Sequence, residues 1–397
     1  MKDKITITKQ DARRLFLFCQ GLNKPLKLAK GKEGAAQVIE RLGYVQIDTI
    51  SVVERAHHHT IWTRYPLYEP TMLDVLQKDD KRVFEYWGNC ASIIPMQNYR
   101  FYLPRMHLYE RSIRTRTFLN ANKPLVNNIL SRIKSEGPLG SSDFESDGWK
   151  KSGWWNWKPA KRALEELFNT GKLMVSHRIN FERKYDLPSR VIPAKINTCE
   201  PTQLEAKLFF LQQNLKAFGL LSEKKDAERV ILIEDLKENK SVVEFHIQGL
   251  ESENTYIALR SLFELVLNKE ERTKNMLYVF SPFDNAVISR DRLRKFFNFN
   301  YKLEAYFPKD KRKYGYFCLP VLWGSDFIGR IDAKADRSLR TLIIRNIYLE
   351  PAFKEYDSVV GILSSKLREF CSFNDCDKVK IEKSSPVALK NLLELHR

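Results

Sequence analysis

Lys123-Pro124-Leu125-Val126-Asn127-Asn128-Ile129-Leu130-Ser131-Arg132-Ile133, with the break Gly137-Pro138-Leu139-Gly140-Ser141-Ser142-Asp143-Phe144 after it, decides the reading of the fold. Leu125, Ile129 and Ile133 recur at helical spacing, and the break supplies a new helix N-cap. A second apolar stripe, Ala160, Ala163, Leu164 and Leu167, predicts a helix over residues 159–167 that stops at Gly171. Leu173-Met174-Val175-Ser176-His177-Arg178 and Arg183-Lys184-Tyr185-Asp186-Leu187 then read as two short strands joined by a turn. Helices followed by a two-stranded wing form the winged version of the helix-turn-helix.

Working outward, a weaker copy of this order begins at Pro201. A helix runs through residues 208–215, Gly219 breaks it, a helix is expected over 223–235, and Val242-Val243-Glu244-Phe245-His246-Ile247 reads as a strand. Such self-similarity points to tandem modules. Towards the N-terminus, Thr8 caps an amphipathic helix that carries Ala12, Leu15, Phe16 and Cys19 and ends at Gly21. A second helix is expected over 35–42, and after Gly43 the run Tyr44-Val45-Gln46-Ile47-Asp48-Thr49-Ile50 reads as extended. The tail differs. Residues 314–322, the turn Gly324-Ser325-Asp326 and residues 327–332 read as a β-hairpin, followed by a strand over 341–348. The expected fold is therefore α+β, with winged-helix modules over 121–200 and 201–274 and a β-rich C-terminal domain over 275–397.

Composition narrows the function. The 397 residues include 67 Lys plus Arg against 49 Asp plus Glu, a formal net charge of +18, which favours a polyanionic partner. A solvated basic surface is the plainer explanation of charge alone. The six cysteines are scattered without a CxxC pair and read as reduced thiols. No apolar run approaches the length of a membrane span, and the first residues lack the pattern of a signal peptide. A soluble, cytoplasmic, nucleoid-associated protein is expected.

Several groups could carry chemistry. In an extended segment Gln46 and Asp48 share one face while Val45, Ile47 and Thr49 take the other, which would set an amide beside a carboxylate on an exposed face. Both could equally cap nearby backbone, and spacing alone favours that role. His57, His58 and His59 are consecutive and cannot share one helix face, so a three-histidine metal site is not expected; contact with phosphate or a base edge, with a structural role for at least one, is. Trp149, Trp154, Trp155 and Trp157 stand among Lys150, Lys151, Lys158, Lys161 and Arg162, either as a nucleic-acid surface or, for Trp154 and Trp157, as core. Lys309-Asp310-Lys311-Arg312-Lys313-Tyr314-Gly315-Tyr316 is a solvated loop or a hairpin edge that grips phosphates. There is no P-loop, and no cofactor is expected.

Tyr44-Val45-Gln46-Ile47-Asp48, Val53-Glu54-Arg55-Ala56-His57-His58-His59, Arg82-Val83-Phe84-Glu85-Tyr86-Trp87, Tyr99-Arg100-Phe101-Tyr102-Leu103-Pro104-Arg105-Met106, Ser281-Pro282-Phe283-Asp284 and Gly329-Arg330-Ile331-Asp332-Ala333-Lys334-Ala335-Asp336-Arg337 together resemble the YcaQ/AlkZ-like winged-helix DNA glycosylases. The resemblance implies three tandem winged-helix modules, the first of them over 1–120, and a β-rich domain, C-shaped around a DNA channel, in a monomer that needs no cofactor. It implies a Gln-apolar-Gln/Asp catalytic motif, here Gln46-Ile47-Asp48, which places the chain with the YcaQ branch. It further implies excision of N7-alkylguanine and unhooking of interstrand crosslinks in double-stranded DNA. DNA contacts would fall to His57, His58 and His59 and, through a probing β-hairpin, to Lys311, Arg312, Lys313, Tyr314 and Tyr316. A non-enzymatic winged-helix regulator of transcription would explain charge and modules equally well but leaves the Gln46/Asp48 pair unused. A double-stranded RNA binder is a third alternative.

Overall fold

Thr8 closes the start of the helix Lys9–Cys19: its hydroxyl accepts from the Asp11 amide at 3.1 Å, and the Asp11 carboxylate accepts from the Thr8 amide at 3.3 Å. The reciprocal pair satisfies two amides that a helix start leaves without partners. Ala12, Leu15, Phe16 and Cys19 are all buried, the stripe their spacing requires. These details come from a computed structural model that describes residues 5–144, 159–222, 227–250, 255–268 and 276–395. Trp149, Trp154, Trp155 and Trp157, with Lys150, Lys151 and Lys158, lie outside the described residues.

The chain forms two compact units, one of Met1–Lys30, Arg41–Glu69 and Leu211–Arg397, the other of Gly31–Glu40 and Pro70–Phe210. The second unit contains Lys123 to Phe144. The helix Lys123–Glu136 buries Ile129 and Ile133 and stops at Gly137, whose positive φ of 98° suits a residue without a side chain. The helix Pro159–Asn169 buries Ala160, Ala163, Leu164 and Leu167. Strands Met174–Ile179 and Glu182–Asp186 pair antiparallel, and Leu139 bridges to Tyr185 from the other side. Glu85, on the strand Val83–Trp87, is buried beneath this hairpin, where Arg178 forms two bonds of 2.7 Å to it and Arg183 lies at 3.4 Å. Burial alone would raise its carboxyl; the two arginines outweigh that and hold it below its usual range.

In the first unit, Thr6–Ile7, Val242–Ile247, Tyr256–Leu259 and Leu221–Ser222 form one sheet in that order. A larger sheet runs Leu277–Val279, Cys318–Trp323, Asp326–Asp336, Thr341–Leu349 and Lys378–Ile381, with Ser384–Ser385 also paired to Thr341–Leu349. The helices Arg290–Phe297, Tyr356–Phe373 and Val387–Leu395 make this C-terminal part α+β rather than purely β. Phe280, Phe296, Phe297, Phe299 and Phe327 of this part share one buried cluster with Phe16 of the helix Lys9–Cys19. Among the described residues, no helix is long and apolar enough to cross a membrane.

A fully buried ion pair fastens the core. Arg64 binds both oxygens of Asp284 at 2.8 and 2.9 Å, and its remaining donors reach the Gln20 carbonyl at 2.9 Å, the Gln20 side chain at 3.0 Å and the Thr60 carbonyl at 3.1 Å. Removing one partner of such a pair strands the other in a dry site. Arg64→Ala is therefore expected to destabilise this unit by about 3–5 kcal/mol, whereas Arg64→Met with Asp284→Leu should recover most of the loss. Urea unfolding of both variants checks this, and a loss under about 1 kcal/mol for Arg64→Ala would contradict it.

Candidate functional site

Val45–Gln46 is the only strand in the run from Tyr44 to Ile50, and Ile47 onward is irregular. Val45, Gln46 and Ile47 are all buried, Asp48 is partly exposed, and Thr49 is exposed. The expectation of an amide and a carboxylate side by side on an exposed face is thus corrected at Gln46, which is 5% exposed. Alternation sorts residues only when one face of a strand meets water, and here both are covered. The Gln46 Oε1 has no hydrogen-bond partner among the described residues. A buried amide oxygen left in this condition is costly unless something else occupies the space in front of it.

Asp48 accepts from the Ile50 amide at 2.8 Å, so the backbone-capping role that spacing favours is present. Capping does not exhaust the group, because the residue is only partly buried. Burial raises its pKa above the ordinary carboxylate value, and the Ile50 and Thr49 amides oppose that only in part. A raised carboxylate is a better proton acceptor, and such groups cluster at reactive sites.

The helix Ala56–Arg64 follows, lies against the strand Val45–Gln46, and carries the three histidines. His59 is fully buried, donates from Nε2 to the Val279 carbonyl at 2.9 Å and packs against the Phe370 ring. His58 is partly buried and meets the Tyr68 hydroxyl at 2.7 Å, while His57 is buried with its ring centre 4.1 Å from that of His58. Burial, with nearby Arg55, lowers His58 to about 3, and burial lowers His59 to about 4. Both rings are neutral at physiological pH, so neither is a cation for phosphate. Among the described residues, no group of three or more His, Cys, Asp or Glu side chains could hold a metal.

Lys311, Arg312, Lys313, Tyr314 and Tyr316 lie on a separate element. Lys309–Lys311 form one 3-10 turn and residues 312–317 a bent loop, because the first hairpin strand begins only at Cys318. Of the two readings of this run the loop is the one present, and the hairpin edge is corrected accordingly. Glu304, itself buried, accepts from the Tyr314 amide at 2.8 Å and the Gly315 amide at 3.2 Å, which withdraws both donors from any ladder. Gly315 has a φ of 139°, and a Cβ there would collide with the Asp332 carboxylate. The Arg330 guanidinium lies 4.1 Å from the centre of the Tyr314 ring. Lys311 and Lys313 are left exposed on a loop held from beneath.

A family model for DNA glycosylase AlkZ-like proteins matches residues 39–364, most of the chain. The protein belongs to the AlkZ-like DNA glycosylase family. The match spans both the Gln46/Asp48 segment and the Lys311 to Tyr316 loop. A solved structure, the Streptomyces sahachiroi DNA glycosylase AlkZ, superposes with a TM-score of 0.61, covering 95% of this chain and 100% of that one at 13% identity. At that identity the likeness speaks for the fold. An AlkZ-like glycosylase is an enzyme that acts on DNA, which sets aside the regulator and RNA-binder alternatives.

Three contributors to the site's surroundings were not legible in the sequence as such. Arg64, Asn285 and Asn374 hold the elements around Gln46 and Asp48. Asn285 directly follows the segment Ser281-Pro282-Phe283-Asp284, whereas Asn374 carries no local signal.

Proposed function

We propose that this glycosylase hydrolyses the bond between C1′ and N9 of N7-alkylated guanine, and that it unhooks interstrand crosslinks built on that atom. The observation that carries this reading is Asp48: a partly exposed carboxylate with a raised pKa, next to a buried Gln46 whose amide oxygen has no partner among the described residues. Alkylation at N7 leaves guanine cationic. When C1′–N9 breaks, the bonding electrons neutralise that charge, so no strong general acid is needed. The sugar becomes oxocarbenium-like, and a carboxylate near C1′ stabilises it, then takes a proton from the water whose oxygen bonds to C1′. Asp48 is assigned the electrostatic and proton-accepting role and Gln46 the positioning of water or substrate. The motif Gln46-Ile47-Asp48 supports the branch of the family with a carboxylate in the last place.

We read the sections 1–120, 121–200 and 201–274 as winged-helix modules and 275–397 as the C-terminal domain; the order of the helices Lys123–Glu136 and Pro159–Asn169 before the hairpin of Met174–Ile179 and Glu182–Asp186 supports this for the middle one. The enzyme is expected to act as a monomer, with the nucleoid in the cytoplasm. No cofactor enters this scheme. Quantifying free 7-methylguanine and abasic sites after incubation with methylated duplex tests the reading, and their absence would refute it.

For the DNA grip we assign Lys311, Arg312, Lys313, Tyr314 and Tyr316, together with His57 and with His58 as a neutral hydrogen-bonding group. His59, whose ring is wholly in the core, supports the histidine helix from within. Binding should be steep in salt and weakly dependent on sequence, since net +18 acts on phosphate rather than on base edges. Lys311→Ala with Lys313→Ala is expected to reduce the slope of log affinity against log salt by about 1.8, at about 0.9 for each phosphate no longer neutralised. Arg312 is spared in this variant because its Nε donates to the Phe307 carbonyl at 2.9 Å and shapes the loop. An unchanged slope would remove both lysines from the interface.

A further inference from the structure

We infer that Asn285 and Asn374 are positioning residues, clamping the segment that carries Gln46 and Asp48 from its two ends. The inference rests on the reading of Asp48 as the reacting carboxylate. Between Tyr44 and Glu54 the only regular structure is the strand Val45–Gln46, so the shape of the remainder must come from bonds made to it by other elements. At one end, Asn285 Nδ2 donates to the Tyr44 carbonyl at 3.0 Å. At the other, Asn374 Oδ1 accepts from the Glu54 amide at 2.7 Å. Both side chains are buried, at 2% and 0% exposure, so neither bond competes with water.

Each clamp is itself held. Asp284, beside Asn285, is locked to Arg64 and accepts from the Ala286 amide at 2.8 Å, which fixes the turn that aims Asn285. Asn374 donates its Nδ2 to the Phe370 carbonyl at 2.7 Å at the end of the helix Tyr356–Phe373. The C-terminal sheet adds two bonds between the clamps: the Ala335 amide donates to the Val52 carbonyl at 2.8 Å, and Arg337 Nη1 to the Ser51 carbonyl at 3.2 Å. Parts of the chain more than 230 residues away thus set the backbone on which Asp48 sits. The C-terminal half takes part in catalysis by holding that backbone, apart from any hold on DNA.

A displacement of about 1 Å at a reacting group can cost about a hundredfold in rate. Asn285→Asp keeps the volume but turns a carboxylate oxygen towards the Tyr44 carbonyl in place of a donor, and Asn285→Ala removes the group. Both are expected to slow single-turnover release of 7-methylguanine by about 10- to 100-fold while the Kd for the same duplex stays within about twofold. Hydrogen exchange should quicken at amides within 44–54 and stay unchanged in the helix Lys9–Cys19. Asn374→Ala should behave alike, and Asn374→Asp, which keeps an oxygen facing the Glu54 amide, should recover part of the rate. Should Asn285→Ala prove insoluble, the Asn285→Asp protein gives the same comparison. Unchanged rate and unchanged exchange in the Asn285 variants would overturn the clamp. A wild-type enzyme inert on methylated duplex, with exchange at 44–54 still quickened in the variants, would instead refute the proposed reaction and leave the clamp standing.

Discussion

Asp48→Asn is expected to lower single-turnover release of 7-methylguanine by at least about a hundredfold, the size of effect seen when a group acting mainly in the transition state is removed. The substitution keeps the size of the side chain and an oxygen for the Ile50 amide, so the local backbone bond survives. What disappears is the charge proposed to stabilise the sugar and the site proposed to take the proton. Affinity for DNA should stay near the wild-type value or rise slightly, because a negative charge next to phosphates is removed. Stability should not fall. The folded pKa of Asp48 is raised by burial above its unfolded value, so the ionised carboxylate weighs against folding, and asparagine relieves that. The same shift fixes the pH profile: the wild-type rate should climb with pH through a carboxylate that titrates above the ordinary aspartate range of about 4. Gln46→Ala should be milder, since water can fill part of its role. Wild-type excision by Asp48→Asn would remove Asp48 from the chemistry altogether.

Helices were the most legible part of this chain. The stripes of the first helix and of Pro159–Asn169 proclaimed themselves through spacing, and Thr8 through the Asp three residues on, because both depend on neighbours in sequence. The identity of Gln46 and Asp48 as a pair was visible, but their environment was not. Both residues of the strand Val45–Gln46 are buried, and period-two reasoning presumes that one face is wet. Tyr314 to Tyr316 read as the start of a strand for a related reason: Glu304 takes the Tyr314 and Gly315 amides, and nothing in the loop's own composition announces a carboxylate that does so. Of the three histidines, only a structure separates His59, whose ring is bonded to the strand Leu277–Val279, from His58, which keeps some access to solvent.

Selectivity among lesions should be the sharpest functional signature. Many glycosylases rotate the damaged nucleotide out of the stack into a fitted pocket, and a base tethered to the opposite strand cannot make that movement. An enzyme that unhooks crosslinks must therefore bring its groups to a base still in the duplex. Asp48 is partly exposed on an irregular segment, which suits such an approach, while Gln46 beside it is buried. A site of this kind cannot choose a base by enclosing it. Its choice falls to the leaving group: N7-alkylguanine departs as a neutral base, whereas uracil or hypoxanthine departs with a negative charge that no strong acid among the assigned residues would meet. Release of 7-methylguanine and unhooking of an N7-linked crosslink are accordingly expected at comparable rates, with uracil and hypoxanthine at least about a hundredfold slower, a difference of about 2.7 kcal/mol in barrier. Denaturing gels on defined methylated, crosslinked and deaminated duplexes give the answer. Robust uracil release, or failure on the crosslink while 7-methylguanine is still released, would rule out catalysis from an open surface, and the second result would point to a flipped base held in a closed pocket.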